Sequence, residues 1–196
     1  MKELITGDDL ARKVKLNYGT SQYSDGGWLK FSYKGKVEFV AKKPFRCSIS
    51  WQDLYSANLV YGNNVIEIKG FKYKVRLMKG KAEGWQNDQS AFQGDICKNS
   101  EWNKLMLPIH RNAPSNWAFG WNVNSPTENW NIRYTDGDII IHNNLGNGSY
   151  AWCQEYGDSK DKRVARGGFG VSCSNNVDYY YSYKYCGWRP VLELIE

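Results

Sequence analysis

The closing stretch of the chain, residues 162–196, constrains the fold more than any other segment. It opens with RVARGG at residues 163–168 and closes with GWRPVLEL at residues 187–194, and both runs are strand-like. Between them lies a polar loop with five tyrosines: Tyr179, Tyr180, Tyr181, Tyr183 and Tyr185. Tyrosine offers a large, rigid, amphipathic contact area at low entropic cost, so loops rich in it favour recognition over chemistry. The pattern therefore predicts a scaffold that displays a binding surface.

The composition favours one loop-rich domain over a helical bundle. The chain has 196 residues, including 19 Gly and nine Trp, and its aromatic fraction is 15%. This length is ample for one core, and so many glycines favour turns. No apolar run approaches the roughly 18 residues that a spanning helix needs, and residues 1–16 lack the apolar core of a signal peptide. We therefore expect no membrane span.

The five cysteines are expected to be buried thiols. Their spacing is irregular and contains no Cys-x-x-Cys pair, so it does not predict a structural zinc site. A disulfide between Cys173 and Cys186 is the alternative, but it would require an oxidising compartment that nothing else in the chain indicates.

The net charge of +6 comes mostly from lysines in the first half of the chain. A basic surface can attract nucleic acid, an anionic wall polymer or an acidic protein. These basic residues, Arg76 among them, alternate with apolar residues, which is typical of a solvated sheet face. We therefore do not expect nucleic acid to be a partner.

Apolar alternation predicts two hairpins, at residues 26–45 and 65–78. Ser50 and Ser100 are the predicted N-caps of two short helices, the first over residues 51–60 and the second ending near Pro108. Further strands are predicted at residues 138–142, 150–155, 164–171 and 188–195. Glycines interrupt residues 1–25, which we interpret as an N-terminal arm or as part of the domain at 26–196. The order of elements predicts an α+β protein.

Short motifs in a fixed order resemble a known family. They lie at residues 27–31, 40–44, 50–54, 73–77, 100–103, 152–155, 163–167 and 187–193. Together they resemble virion structural proteins of tailed bacteriophages whose C-terminal half has a C-type lectin-like fold. Formylglycine-generating enzymes and retroelement-diversified phage receptor-binding proteins share that fold. The resemblance implies a C-type lectin-like domain with small antiparallel sheets, two short helices and long loops.

For the receptor-binding relatives, the resemblance implies a ligand face just before the closing strand. Here that segment is residues 174–185, which contains the five tyrosines. As a hypothesis we extend the face to the long loop of residues 112–131, which carries Trp117, Trp121 and Trp130. The alternative for residues 179–185 is a strand pair with one face buried.

Four motif residues are interpreted as structural. Trp152 and Trp188 lie in strand-like runs and are expected to anchor the core. Arg166 and Arg189 lie beside glycines and are expected to join loops by hydrogen bonds.

The resemblance implies a non-enzymatic virion component of the tail, fibre or capsid surface, made in the host cytoplasm. Its partners would be other virion proteins or a host-surface glycan or wall polymer, and a homo-oligomer stays an open alternative. A carbohydrate-binding module and a formylglycine-type oxidase are the other hypotheses. Those oxidases carry two closely spaced cysteines, whereas here Cys173 is followed by Asp178 where the second thiol belongs. We therefore expect no catalytic residue, no metal and no cofactor.

Overall fold

A computed structural model of the chain describes residues 4–81, 99–110, 134–139, 146–168, 170–171 and 173–195. Within these ranges the chain is a mixed α+β protein dominated by β-sheet. Its helices are α1 (Gly7–Lys13), α2 (Trp51–Ser56), α3 (Glu101–Met106) and α4 (Asp136–Ile139). Its strands are β1 (Thr20–Ser21), β2 (Trp28–Tyr33), β3 (Lys36–Ala41), β4 (Arg46–Cys47), β5 (Tyr61–Ile68), β6 (Phe71–Arg76), β7 (Tyr150–Tyr156), β8 (Lys162–Gly167), β9 (Ser174–Asp178), β10 (Cys186–Trp188) and β11 (Val191–Leu194). None of the helices in the described ranges has the length and apolar character that a membrane crossing needs.

The strands form two sheets that the C-terminus joins. One sheet has the order β1-β4-β10-β7-β8-β9 and the other β2-β3-β11-β6-β5. β10 pairs in parallel with β7, whereas β11 pairs antiparallel with both β3 and β6. The predicted strand at residues 188–195 is therefore divided between two sheets. Pro190 lies at the crossing, where a residue without an N–H does not interrupt a ladder.

Both predicted hairpins are confirmed. β2 pairs with β3 across Lys34-Gly35, and β5 pairs with β6 across Lys69-Gly70. The turn residues have φ values of 50° and 75° in the first hairpin and of 52° and 83° in the second. Two consecutive positive φ values match the right-handed twist of the strands, and glycine at the second position tolerates this conformation without strain.

Both predicted N-caps are confirmed. The Ser50 hydroxyl accepts from the Asp53 N–H at 3.0 Å, and the Asp53 carboxylate accepts from the Ser50 N–H at 3.0 Å. The Ser100 hydroxyl accepts from the Asn103 N–H at 3.1 Å. These bonds satisfy N–H groups that have no partner inside the helix. α2 ends at Ser56, earlier than predicted, because the chain then turns to enter β5.

Residues 1–25, interpreted as an arm, contain a helix that the sequence reasoning missed. The Thr6 hydroxyl caps α1 by accepting from the Asp9 N–H at 3.1 Å. Leu10 and Ala11 are fully buried in the larger hydrophobic cluster of the protein. Three features of the sequence indicate this helix: a capping threonine, acidic residues in the first turn and basic residues in the last turn. Together they outweigh the glycine at its first position.

The strand predicted at residues 138–142 is wrong at its beginning, because α4 extends to Ile139. The Asp138 carboxylate accepts from the N–H and the hydroxyl of Thr135, both at 2.8 Å. These hydrogen bonds stabilise a helical turn and so disfavour the extended conformation of a strand. Residues 140–142 lie outside the described residues.

The predicted core tryptophans are confirmed. Trp152 is 1% exposed and Trp188 is 0% exposed. The indole N–H of Trp152 donates to the carbonyl of Ile49 at 2.8 Å, so the ring is buried with its donor satisfied.

The two predicted structural arginines also join distant backbone segments. Arg166 donates to the carbonyls of Gly80 at 2.9 Å and Cys173 at 3.1 Å. Arg189 donates to the carbonyl of Ala41 at 2.8 Å. Both side chains are buried, and each crosses between elements that the chain separates widely.

The described cysteines, Cys47, Cys153, Cys173 and Cys186, are all buried thiols, and these four form no disulfide with one another. The expectation of buried thiols is therefore confirmed for them. Cys97 lies outside the described residues.

The solvated basic face is confirmed for the lysines of the hairpins, of which these are exposed: Lys30, Lys34, Lys36, Lys69 and Lys72. The prediction is wrong for Arg76, which is 7% exposed. Its guanidinium lies 2.6 Å from carboxylates of Glu38 and Glu101 and 3.0 Å from that of Glu193. A planar group with five donors can satisfy several carboxylates at once, and this makes its burial tolerable.

Candidate functional site

The five predicted tyrosines lie on one connection, residues 179–185 between β9 and β10, which we call the tyrosine loop. Tyr180 is 52% exposed and Tyr181 is 45% exposed. Tyr179, Tyr183 and Tyr185 are half-buried and pack partly against the larger core cluster. The alternative of a strand pair is wrong, because the segment lies between two strands rather than within them.

The rings of the tyrosine loop form a continuous row. Successive centroids lie 5.3 Å apart for Tyr179 and Tyr180, and 4.5 Å apart for Tyr180 and Tyr181. The separation is 5.2 Å for Tyr181 and Tyr183 and 5.0 Å for Tyr183 and Tyr185, the last pair being stacked at 9°. These distances are typical of favourable aromatic pairs. The loop is therefore ordered by its own side chains.

The row is anchored to the sheet at Tyr150. The ring of Tyr185 lies 6.3 Å from that of Tyr150, and the Tyr150 N–H donates to the Tyr185 carbonyl at 2.8 Å. Gly168 faces the Tyr150 ring so closely that a Cβ there would come within 2.3 Å of it, and its φ is 80°. Only glycine combines this approach with this conformation.

The hydroxyls of Tyr180 and Tyr183 stay neutral in ordinary solution. The hydrogen bond with Tyr181 raises the pKa of Tyr180, and burial raises the pKa of Tyr183. A neutral phenol both donates and accepts a hydrogen bond. The tyrosine loop therefore offers apolar ring faces with adaptable polar ends.

A second aromatic surface lies beside the loop and shares one ring with it. It is a cleft of about 740 Å³, which we call the aromatic cleft. Its aromatic lining consists of Trp51, Tyr55, Tyr61, Tyr156 and Tyr179. Its polar lining consists of Gln52, Lys160, Asp161 and Arg163. The lining comes from α2, β5, β7, β8 and the segments that follow β7 and β9.

The Arg163 guanidinium organises the aromatic cleft. Its Cζ lies 3.9 Å from the ring centroid of Tyr156, 4.3 Å from that of Trp51 and 4.9 Å from that of Tyr179. Its Nη1 also donates to the Lys160 carbonyl at 2.9 Å. Burial lowers the pKa of Arg163, and the electron-rich ring faces compensate the buried cation. One cation thus holds three rings from three segments of the chain.

The helix α2 supplies the floor of the cleft. Trp51 and Tyr55 lie one turn apart and stack at 5.2 Å and 10°. The Trp51 indole N–H donates to the Cys153 carbonyl at 2.9 Å, which fixes the ring against β7. Tyr61 stands at 82° to Tyr55, with the centroids 6.2 Å apart. The three rings therefore form a corner whose geometry is fixed by contacts within the protein.

Tyr61 also lines a smaller, charged pocket of about 350 Å³ around Arg76. Burial and the neighbouring Glu101 raise the pKa of Glu38 there to about 7. Since the Arg76 guanidinium is already engaged by three carboxylates, we interpret this pocket as structural.

Sequence reasoning located the tyrosine loop and missed the aromatic cleft. Trp117, Trp121 and Trp130, the proposed extension of the ligand face, lie outside the described residues. The one local signal for the cleft was the pair Trp51 and Tyr55 on a capped helix, because residues four apart share a helix face. In comparisons with known proteins, no family model, curated protein or solved structure matches this chain.

Proposed function

We propose that this chain is a non-enzymatic virion component of a tailed bacteriophage with a C-type lectin-like domain. In this proposal the tyrosine loop binds another virion protein or a host-surface polymer. The virion assignment is based on the ordered sequence motifs. The binding role is based on one observation, the continuous row of tyrosine rings that includes the exposed pair Tyr180 and Tyr181.

The arrangement of the row supports recognition. Aromatic side chains that are already ordered lose little entropy on binding, and tyrosine is enriched in the anchoring positions of interfaces. The loop is ordered by ring contacts within it and by the backbone bond between Tyr150 and Tyr185. The binding surface is therefore already ordered in the free protein.

The burial of the motif residues supports the proposed fold. Trp28, Trp102, Trp152 and Trp188 come from separate motifs, and all four are buried. Motifs that build the core are what related scaffolds share, while their loops diverge with the ligand. This division is compatible with a common scaffold that carries a specific tyrosine loop.

The thiols support a non-enzymatic role. Cys173 and Cys186 are buried, and burial raises the pKa of the Cys186 thiol. A soft metal such as copper binds the thiolate, which a raised pKa disfavours. Asp178, which stands where the second cysteine of the oxidases belongs, ends the strand β9.

The virion assignment is tested by mass spectrometry of gradient-purified particles of the phage that encodes the chain. We expect its peptides in intact particles at a level comparable with other structural proteins. Their absence from intact particles would contradict the assignment.

The binding role is tested with the double variant Tyr180→Ala, Tyr181→Ala in sedimentation with host cell walls and with purified particles that lack the protein. Each ring contributes about 1 kcal/mol, so we expect binding to fall at least about 10-fold. Tyr18→Ala is the matched control, since Tyr18 is 57% exposed and lies outside the loop. If the double variant binds both materials as the wild type does, the loop is not the binding surface.

A further inference from the structure

We propose that the aromatic cleft is a second binding site, which takes a short stretch of a neutral carbohydrate chain. The cleft does not include the exposed pair Tyr180 and Tyr181 of the tyrosine loop, and the inference does not depend on the virion assignment. It is based on the open ring faces, on the rigid support beneath them and on the balance of charge around them.

Three rings of the cleft are open to solvent. Tyr55 is 48% exposed, Tyr61 is 46% exposed and Tyr156 is 43% exposed. Sugar rings present a face of C–H groups that stacks on aromatic rings, while their hydroxyls point outward. Several large exposed rings that converge on one concavity therefore indicate a ligand with apolar faces and a polar rim.

The support beneath these rings is rigid. Trp51 is 3% exposed and is fixed by its bond to the Cys153 carbonyl. Arg163 is 5% exposed and lies against Trp51 and Tyr156 while its Nη1 bonds to a backbone carbonyl. A site that is formed in advance loses less entropy when a ligand binds.

The polar lining suits hydroxyl groups. Gln52, Lys160 and Asp161 supply an amide, an ammonium and a carboxylate at the edge of the cleft, so that donors and acceptors are both present.

The charge around the cleft favours a neutral ligand. Lys160 and Asp161 are both exposed and have opposite charges, and the Arg163 cation faces rings and carbonyls. Single-stranded nucleic acid also stacks on aromatic rings, but it needs a groove of unpaired cations along its phosphates. The volume of about 740 Å³ lies within the range of small-ligand pockets and accommodates a few sugar units.

The test is calorimetric titration of the full chain with neutral hexasaccharides of glucose, N-acetylglucosamine, mannose and xylose, with oligothymidylate and hexagalacturonate as anionic probes. We expect at least one neutral hexasaccharide to bind with a Kd of about 1 mM or tighter. Failure of all the neutral probes at that level overturns the proposal. Tighter binding of an anionic probe than of every neutral one also overturns it.

Variants locate the bound sugar. Tyr55→Ala and Tyr156→Ala should each weaken binding at least about 10-fold, because each removes a stacking face. Tyr55→Phe and Tyr156→Phe keep that face and remove only the phenol hydroxyl. They should bind within about 3-fold of the wild type, because each loses at most one solvent-exposed hydrogen bond to the sugar. Far-ultraviolet circular dichroism checks that each variant is folded.

The tyrosine loop provides the distinguishing control. Tyr181→Ala should leave sugar binding unchanged, because this ring does not line the cleft. If sugar binding is lost in Tyr181→Ala and kept in Tyr55→Ala and Tyr156→Ala, the cleft proposal is overturned while the proposed role of the loop survives. If the cleft variants lose sugar binding and the loop variants still bind walls and particles, each surface has its own ligand.

Discussion

The two aromatic surfaces are built in opposite ways. The tyrosine loop takes its rings from one short stretch, residues 179–185, and each of these rings contacts the next one along the chain. The aromatic cleft takes its rings from four segments of the chain, and one buried cation holds three of them. A row of neighbours can change residue by residue with little effect on the scaffold. A ring set that a buried arginine joins is part of the scaffold itself.

This difference predicts unequal costs of substitution, the largest at Arg163. Arg163→Ala removes contacts with the rings of Trp51, Tyr156 and Tyr179 and a hydrogen bond to the Lys160 carbonyl. At about 0.5–1 kcal/mol for each ring and about 1 kcal/mol for the bond, we expect the free energy of unfolding to fall by about 3 kcal/mol. Urea denaturation measures it.

Two further variants sharpen this prediction. Arg163→Lys keeps the charge but not the planar face, so its loss should be intermediate. Tyr181→Ala, in the loop, should cost about 1 kcal/mol, because the ring is 45% exposed and its contacts with Tyr180 and Tyr183 are lost. If Arg163→Ala costs no more than Tyr181→Ala, the arginine does not organise the cleft.

The base of the tyrosine loop should be the next most sensitive position. In Gly168→Ala the new Cβ would lie 2.3 Å from the Tyr150 ring at a φ of 80°, so both strain and collision oppose it. We expect a loss of about 2–3 kcal/mol in thermal or urea unfolding, together with weaker binding by the loop.

Gly35→Ala is the matched control for that substitution. Gly35 has a φ of 75°, and nothing lies within 4 Å of the position of its Cβ. Only the backbone strain of about 1 kcal/mol should remain. Equal costs for the two variants would mean that Tyr150 moves aside freely, and that the loop has no fixed base.

The smallest expected effect is a dependence of the free energy of unfolding on pH. Burial raises the pKa of Glu155, which directly precedes Tyr156 of the cleft, to about 7 from an ordinary value of 4.5. Between these values the folded state keeps a proton that the unfolded state has lost, so stability falls as the pH rises. We expect Glu155 alone to lower the free energy of unfolding by about 1–2 kcal/mol between about pH 6 and pH 8.

Glu155→Gln mimics the protonated side chain and should reduce this fall, so that the variant is the more stable protein at about pH 8. Glu38, whose pKa is also raised to about 7, supplies a second part of the slope that Glu155→Gln leaves in place. The hydroxyls of Tyr180 and Tyr183 do not titrate in this range, because the pKa of each lies above the usual value of 10.0. An unchanged slope in Glu155→Gln would contradict the assignment.

Local patterns predicted the elements that local chemistry stabilises. The turns at Lys34-Gly35 and Lys69-Gly70 need two positive φ values, and the caps at Ser50 and Ser100 need one hydroxyl, so a few adjacent residues were enough. The strand prediction for residues 138–142 is wrong at its beginning for the same kind of reason. The local hydrogen bonds from Thr135 to Asp138 favour a helical turn more than a brief apolar run favours a strand.

The sequence by itself determined the two hairpins, the helix caps and the tyrosine loop, because in each case the interacting groups are close along the chain. Only the tertiary structure decided that Arg163 would be held by rings and Arg76 by carboxylates. Both arginines lie in strands, and their surroundings depend on which distant strands the sheet registers bring beside them. A buried cation is stable only beside groups that compensate its charge. The aromatic cleft around Arg163 therefore depends on the packing of the sheets against α2.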